Sequence, residues 1–307
     1  TVYDGDIRRA LLKGLTLSSS IELAMFRNYI KVSEEVSYKE IIKIMKENSI
    51  SHIPLTNSED KFLGLHTQEE YGFKKDSKIY TNPVLLMAGG RGKRLMPLTK
   101  NCPKPLIEIN GKPLLEIIIE RCIKAGLNNF YISVHYLSDQ IIKYFGNGEK
   151  WGIKNSYLYE EKPMGTAGAL NLLSSKINQP LLIMNGDILT KINLPQLLNF
   201  HQNNNADITI AGSEYYYESP YGVVNVEGIK FKSIIEKPTF KHFINAGIYV
   251  INPKIINKLN SSEYLDMPNL LNKKIDEKCN IIVYPIYEYW LDIGRLENLN
   301  KAKLEWC

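Results

Sequence analysis

Three glycines and three cations crowd the end of an apolar run: Val84-Leu85-Leu86-Met87-Ala88 leads directly into Gly89-Gly90-Arg91-Gly92-Lys93-Arg94. Glycines at a strand end let backbone N–H groups come close to phosphate oxygens, because no Cβ intervenes. Arg94 adds a planar fork of donors suited to phosphate. The turn matches neither the six-residue dinucleotide fingerprint nor the P-loop, so alone it indicates an anion and nothing finer. Lys93 reads either as one more phosphate contact or as a solvated cation. Pro97-Leu98-Thr99 and Pro103-Lys104-Pro105-Leu106 follow at short distance. The five histidines show no metal-ligand spacing, and His135 reads as structural. No Ser/His/Asp or Cys/His arrangement is evident, and Cys102 beside the Pro-Lys-Pro run is incidental.

The elements around the glycine turn alternate. Apolar strands are expected at Val84–Ala88, Phe130–Val134, Leu181–Asn185 and Ile208–Ala211, with helices at Pro113–Ala125, Ser138–Phe145, Thr166–Ser174 and Leu194–Asn203. Fully apolar strands separated by helices indicate βαβ units with the sheet buried on both faces. Later segments are richer in strand: Gly222–Val226, Ile229–Ile235, Ala246–Ile251 and Ile281–Pro285. The first 75 residues differ. Asp6–Lys13 and Ser37–Asn48 read as helices, and Asn28–Val32, Ser51–Leu55 and Lys61–Leu65 as short strands. Residues 76–82, polar and ending before Pro83, read as a linker between a domain over 1–75 and one over 83–307.

Composition bounds the rest. The chain has 307 residues, 44% hydrophobic and 23% charged, enough for two compact domains. Its net charge of +5 is scattered, which suits anionic small molecules. No dense basic stripe speaks for nucleic acid. No apolar run approaches the roughly 20 residues of a membrane span, and no signal-peptide order stands at the start. Four cysteines without paired spacing fit a reducing, cytoplasmic setting.

Ala88–Thr99 together with Pro103–Leu106 resembles the signature of the sugar-1-phosphate nucleotidylyltransferases. Further matches follow in order: Gly165-Thr166-Ala167-Gly168-Ala169, Asn185-Gly186-Asp187, Tyr221-Gly222-Val223-Val224, Glu236-Lys237-Pro238, Asn245-Ala246-Gly247 and Trp290-Leu291-Asp292-Ile293-Gly294. The resemblance implies an α/β domain with a Rossmann-like mixed sheet and a site above the carboxyl ends of its strands. It also implies the reaction: a sugar phosphate oxygen attacks the α-phosphorus of an NTP, and pyrophosphate leaves. That nucleophile is already ionised, so no general base is needed. The task is to gather anions and stabilise spreading charge, which calls for metal and cations. By resemblance, Asp187 and Asp292 bind Mg²⁺, Arg94 and Lys104 hold the triphosphate, and Lys237 neutralises the sugar phosphate. Ala88, Gly89, Gly90, Gly92, Lys93, Arg94, Glu160, Gly165 and Thr166 surround the nucleotide. Asn185, Gly186, Tyr221, Gly222, Glu236, Asn245 and Gly247, with Lys237, surround the sugar phosphate.

Glu160 stands five residues before Gly165, where uridylyl- and thymidylyltransferases of this family carry Gln. A carboxylate only accepts hydrogen bonds, and guanine presents two adjacent donors. GTP is therefore expected, with UTP as the alternative. The N-terminal part resembles a pair of CBS repeats, Asp4–Leu11 ending an incomplete first repeat and Ile30–Glu70 forming the second. CBS pairs bind adenosine nucleotides, so a regulatory nucleotide is a candidate partner. Here Tyr3 stands where a hydroxyl residue is expected and Glu70 follows Thr67 where Asp is usual, which leaves packing or self-association as the other role. CBS repeats ahead of a guanylyltransferase-like domain resemble the glucosamine-1-phosphate guanylyltransferases of legionaminic acid biosynthesis. Mannose, N-acetylglucosamine and heptose 1-phosphates stay open. From another class, a non-catalytic regulatory subunit is the alternative, against which all five charged residues of the site are present.

Overall fold

The computed structural model describes residues 2–48, 50–68, 70–71, 79–173, 177–259 and 264–306. It divides into two compact units, Thr1–Lys78 and Ile79–Cys307. Residues 76–78 of the expected linker lie outside the described residues. The remainder belongs to the second unit, where Tyr80 N donates to Gly126 O at 2.9 Å and Asn82 Nδ2 to Pro180 O at 2.8 Å.

The first unit holds α1 (Asp4–Leu12), β1 (Val32–Ser33), α2 (Tyr38–Glu47), β2 (His52–Thr56) and β3 (Phe62–Thr67), its sheet ordered β1-β2-β3. Only the end of the strand expected at Asn28–Val32 pairs, through Val32↔Leu55. The amphipathic α2 buries Ile41 and Met45 against Val32 and Ile53. Thr67 and Glu70 cap each other: Thr67 N donates to Glu70 Oε2 at 3.1 Å and Glu70 N to Thr67 Oγ1 at 3.4 Å. Tyr3 OH donates to His52 O at 3.1 Å.

The second unit runs β4 (Val84–Met87), the small hairpin β5 (Glu108–Ile109) and β6 (Lys112–Pro113), α3 (Leu114–Lys124), β7 (Asn129–Val134), α4 (Ser138–Phe145), β8 (Lys154–Tyr159), β9 (Leu181–Asn185) and β10 (Ile188–Thr190). It continues through α5 (Leu194–Asn203), β11 (Ile208–Glu218), β12 (Val223–Glu227), β13 (Lys230–Ile235), β14 (Thr239–Ile251), α6 (Pro253–Ile256), α7 (Met267–Asp276), β15 (Ile281–Ile286), β16 (Trp290–Asp292) and α8 (Leu296–Glu305). Seven strands form one mixed sheet in the order β15-β11-β14-β9-β4-β7-β8, with β14 antiparallel to both its neighbours and every other pair parallel. Along β4 and β9 successive side chains enter opposite cores: Leu86 and Leu182 join one cluster, Leu85 and Ile183 the other. The sheet is thus buried on both faces, as continuous apolar strands require. Pairs Met87↔Asn185 and Met87↔Ser133 align the carboxyl ends of three neighbouring strands, so whatever follows each strand meets at one edge. Among the described residues no helix is long and apolar enough to cross a membrane.

The helix expected over Thr166–Ser174 is instead a short 3-10 turn, Gly168–Leu172, with Ser174 outside the described residues. Gly165 holds φ +86°, and a Cβ there would lie 2.6 Å from Leu265 O, so the chain is committed to a close crossing before any α-turn begins.

His201 on α5 is buried. Its Nδ1 shares a hydrogen bond of 2.9 Å with Thr209 Oγ1, and Nε2 has no partner among the described residues. Burial pushes its pKa down to about 4, against a partial upward pull from Asp207. A depressed histidine binds fewer protons folded than unfolded. Its contribution is therefore complete above the unfolded pKa of 6.5 and is lost as pH falls towards 4. The loss amounts to about 3 kcal/mol. His201→Gln, which keeps a partner for Thr209 but does not titrate, is expected to flatten the melting-temperature profile between those pH values. Parallel profiles for the two proteins would refute this.

Candidate active site

The turn after β4 is folded back by its third glycine. Gly92 adopts φ +61°, and a Cβ there would sit 2.8 Å from Thr99 Cγ2 and 3.1 Å from Lys104 Cβ. Thr99 Oγ1 donates to Gly92 O at 2.9 Å. Leu95 is buried as the anchor of the loop, leaving Gly90, Lys93 and Arg94 exposed. Ala88 N donates to Ser133 O at 2.9 Å, which ties the start of the turn to β7.

Lys104 is thereby brought under the turn, where its ammonium pairs with Asp187 Oδ2. Asp187 follows β9, and the strand pair β10–β16 sets Ile188 opposite Asp292. Ile293 N donates to Asp187 O at 2.9 Å, closing the two aspartates against each other. Asp292 Oδ1 is buried and has no partner among the described residues. Burial raises the Asp292 carboxyl above its usual range and the Asp187 charge adds to this, while Lys104 and Arg94 pull it back. The structure thus assembles Arg94, Lys104, Asp187 and Asp292 in one electrostatic neighbourhood.

A divalent cation fits this donor set. Two hard carboxylates adjoin, Asp187 in the turn between β9 and β10 and Asp292 on β16, the latter with an orphaned buried oxygen. Magnesium is held by one or two carboxylates, with waters and substrate phosphates completing its shell. A cage of protein ligands is not needed, and among the described residues no three His, Cys, Asp or Glu side chains cluster as one.

On the other side of the turn, Glu160 follows β8 and is buried. Ser133 Oγ donates to its Oε1, and Met164 N donates to its Oε2 at 3.1 Å. A Cβ on Gly89 would lie 3.1 Å from Glu160 Oε1, so the carboxylate faces the glycine turn directly. Thr166 is spent on its own loop: its N donates to Asp266 Oδ1 at 3.0 Å, and its Oγ1 accepts from Met267 N at 2.9 Å. Asp266, held low by hydrogen bonds from Tyr264 OH and Thr166 N, is a residue the sequence reading missed. Its position as the N-cap of α7, just ahead of Met267-Pro268, was the available signal.

The residues expected around the sugar phosphate fall into two groups. Asn185, Gly186, Asn245 and Gly247 lie at the β9–β14 edge beside Asp187. A Cβ on Gly247 would be 2.6 Å from Asn185 Nδ2, and one on Gly186 would be 2.8 Å from Met87 O. The Asn245 amide donates to Tyr249 OH at 2.6 Å and accepts from Gly247 N at 3.0 Å. Tyr221, Gly222, Glu236 and Lys237 sit instead at the base of the β12–β13 hairpin, where Glu236 Oε2 would be 2.8 Å from a Gly222 Cβ. Lys237 is exposed at φ +43°, and no ion pair among the described residues joins it to Asp187.

A mixed sheet with a glycine turn, two facing carboxylates and attendant cations at its carboxyl edge defines a class of phosphate-handling proteins. The sequence profile described as nucleotidyl transferase matches residues 83–306, and the chain belongs to that family. The CBS domain profile matches residues 19–67, so Asp4–Leu11, read above as the end of a first repeat, lies outside that match. A mannose-1-phosphate guanyltransferase of Yarrowia lipolytica is 32% identical over 223 residues, 69% of this chain and 60% of that protein. A mannose-1-phosphate guanylyltransferase catalytic subunit beta of Xenopus tropicalis is 30% identical over 224 residues, 69% of this chain and 61% of that one. The match thus spans about 60% of the length of these relatives. The crystal structure of HddC from Yersinia pseudotuberculosis superposes with a TM-score of 0.58 at 25% identity, covering 74% of this chain and all of that one; HddC has also been solved complexed with GMP-PN.

Proposed function

We propose that the chain transfers a guanylyl group from GTP to a hexose 1-phosphate, releasing pyrophosphate. The observation that carries the reading is the Asp187–Asp292–Lys104 cluster beneath the glycine turn. Mg²⁺ held by Asp187 and Asp292 would supply positive charge to the α-phosphate as negative charge spreads over its oxygens. Arg94 and Lys104 bind the triphosphate and favour departure of pyrophosphate. Lys237 offsets the charge of the incoming sugar phosphate once the hairpin base and the sheet edge share a substrate. Main-chain N–H groups of the glycine turn hold phosphate oxygens at a distance that only glycine allows.

Glu160 supports guanine: a buried carboxylate beside Gly89 offers acceptors to two adjacent donors. Similarity to two guanylyltransferases and to a protein complexed with GMP-PN supports the same base. Two sugars have separate support. Mannose 1-phosphate follows from the relatives, and glucosamine 1-phosphate from the CBS domain ahead of the catalytic unit. Pyrophosphate release with Mg²⁺, across four NTPs and both sugar phosphates, separates them. Glu160→Gln is expected to lower kcat/KM for GTP about 100-fold and to raise UTP relative to GTP. An unchanged GTP preference in that variant would remove Glu160 as the base reader, and no pyrophosphate from the folded parent would remove the whole reading.

A further inference from the structure

Guanine recognition by Glu160 depends on how its carboxylate is turned, and the structure holds that orientation from one side. Ser133 is fully buried in β7, in register with Met87 of β4 and Leu158 of β8. Its backbone carbonyl accepts from Ala88 N at 2.9 Å, so it is fixed by the strand that begins the glycine turn. Its hydroxyl donates to Glu160 Oε1, and Met164 N donates to Oε2 at 3.1 Å. One hydrogen bond between His135 Nδ1 and Glu160 O, at 2.8 Å, anchors the main chain on the same strand end.

A carboxylate has about four acceptor positions, two on each oxygen. Ser133 and Met164 each occupy one, on different oxygens. What remains is one free acceptor per oxygen, with Oε1 against the side-chain-free face of Gly89. Two parallel acceptors are the complement of the N1–H and 2-amino donors of guanine. We propose that Ser133 is a positioning residue for base choice: by donating to Oε1 it locks the Glu160 carboxylate so that both remaining acceptors point to one purine edge. The proposal rests on the guanylyl-transfer reading above.

Without the Ser133 hydroxyl, Oε1 loses its only donor among the described residues and the carboxylate turns about its terminal bond. One acceptor then leaves the purine edge, and the 2-amino group loses its partner. Inosine triphosphate, which keeps N1–H and lacks the 2-amino group, is the probe for that loss. Steady-state kinetics with GTP, ITP and UTP on the full chain, alongside melting temperatures, provide the test. Ser133→Ala is expected to raise KM for GTP about tenfold with kcat nearly unchanged. The GTP-to-ITP ratio of kcat/KM should fall towards one, with KM for the sugar phosphate unmoved. Ser133→Thr, which keeps the hydroxyl, is expected to restore the ratio. A purely structural role would depress GTP and ITP together and leave their ratio at the parental value, which overturns the proposal. If Ser133→Ala does not fold, Ser133→Thr carries the test: a folded threonine variant with a ratio near one overturns it equally. A parent that uses UTP as well as GTP refutes the underlying reading instead, and the two failures are thereby distinct.

Discussion

Asp292→Asn is expected to lose about 1,000-fold in pyrophosphate release and yet to melt at a higher temperature than the parent in metal-free buffer. The two effects share one cause. Asp292 Oδ1 is buried without a partner, and the carboxyl is raised first by burial and then by the Asp187 charge. A buried, imperfectly compensated charge costs folding free energy, and Lys104 and Arg94 offset only part of it. Asparagine keeps the shape and removes the charge, and its amide can donate towards Asp187. The gain should be about 1–2 kcal/mol, or roughly 3–6 °C for a unit of this size. On the proposed reading the same charge would hold a divalent cation, so the gain in stability should come with the loss of metal and of charge stabilisation. Adding Mg²⁺ with GTP should then raise the melting temperature of the parent and leave the variant where it was. A variant that melts lower than the parent, or that keeps a tenth of its activity, would contradict this account.

The central sheet was legible because its inner strands are continuous apolar runs. Val84–Met87, Asn129–Val134 and Leu181–Asn185 are buried on both faces and leave no ambiguity of period. The expected fold class, a Rossmann-like mixed sheet preceded by a small, partial CBS-pair domain, agrees with the observed sheet topology and with a CBS match over residues 19–67. What escaped was structure without a hydrophobic signature. β8 lies at the sheet edge with the polar sequence Lys-Asn-Ser-Tyr-Leu-Tyr, and β16 is three residues long. The first half of β14 is largely exposed, and only its pairing with β11 out to Thr239↔Glu218 makes it a strand. In the candidate site, motifs marked residue types, and partnerships were not legible. Asp187 and Asp292 were each marked by their motifs, but their juxtaposition depends on the β10–β16 pairing of two short segments far apart in sequence. Ser133 carried no motif, and Asp266 only the N-cap position ahead of Met267-Pro268. Each makes its contact through a hydrogen bond to a residue in another strand or loop, and single-sequence periodicity does not encode such contacts.

The Lys104–Asp187 pair leads to the second large effect. Lys104 is 12% exposed and Asp187 29%, so the pair is screened less than a surface bridge. The Lys104 ammonium is the counter-charge to Asp187, which stands beside Asp292. It bonds Asp187 Oδ2, so on the proposed reading it competes with a metal for that carboxylate. Lys104→Met, similar in length and uncharged, should therefore move two equilibria in opposite directions. Mn²⁺ affinity without nucleotide, followed by EPR titration, is expected to rise about tenfold because the competing cation is gone. Pyrophosphate release is expected to fall 100- to 1,000-fold if, as proposed, Lys104 serves the leaving group. Two carboxylates left facing each other should also lower the melting temperature in metal-free buffer, opposite in sign to Asp292→Asn. Added Mn²⁺ should recover more of that stability in the variant than in the parent. If Mn²⁺ affinity stays constant or falls, Lys104 is holding Asp187 in shape instead of competing for it. A loss of activity by itself cannot separate the two roles, since both predict it; the direction of the metal titration does.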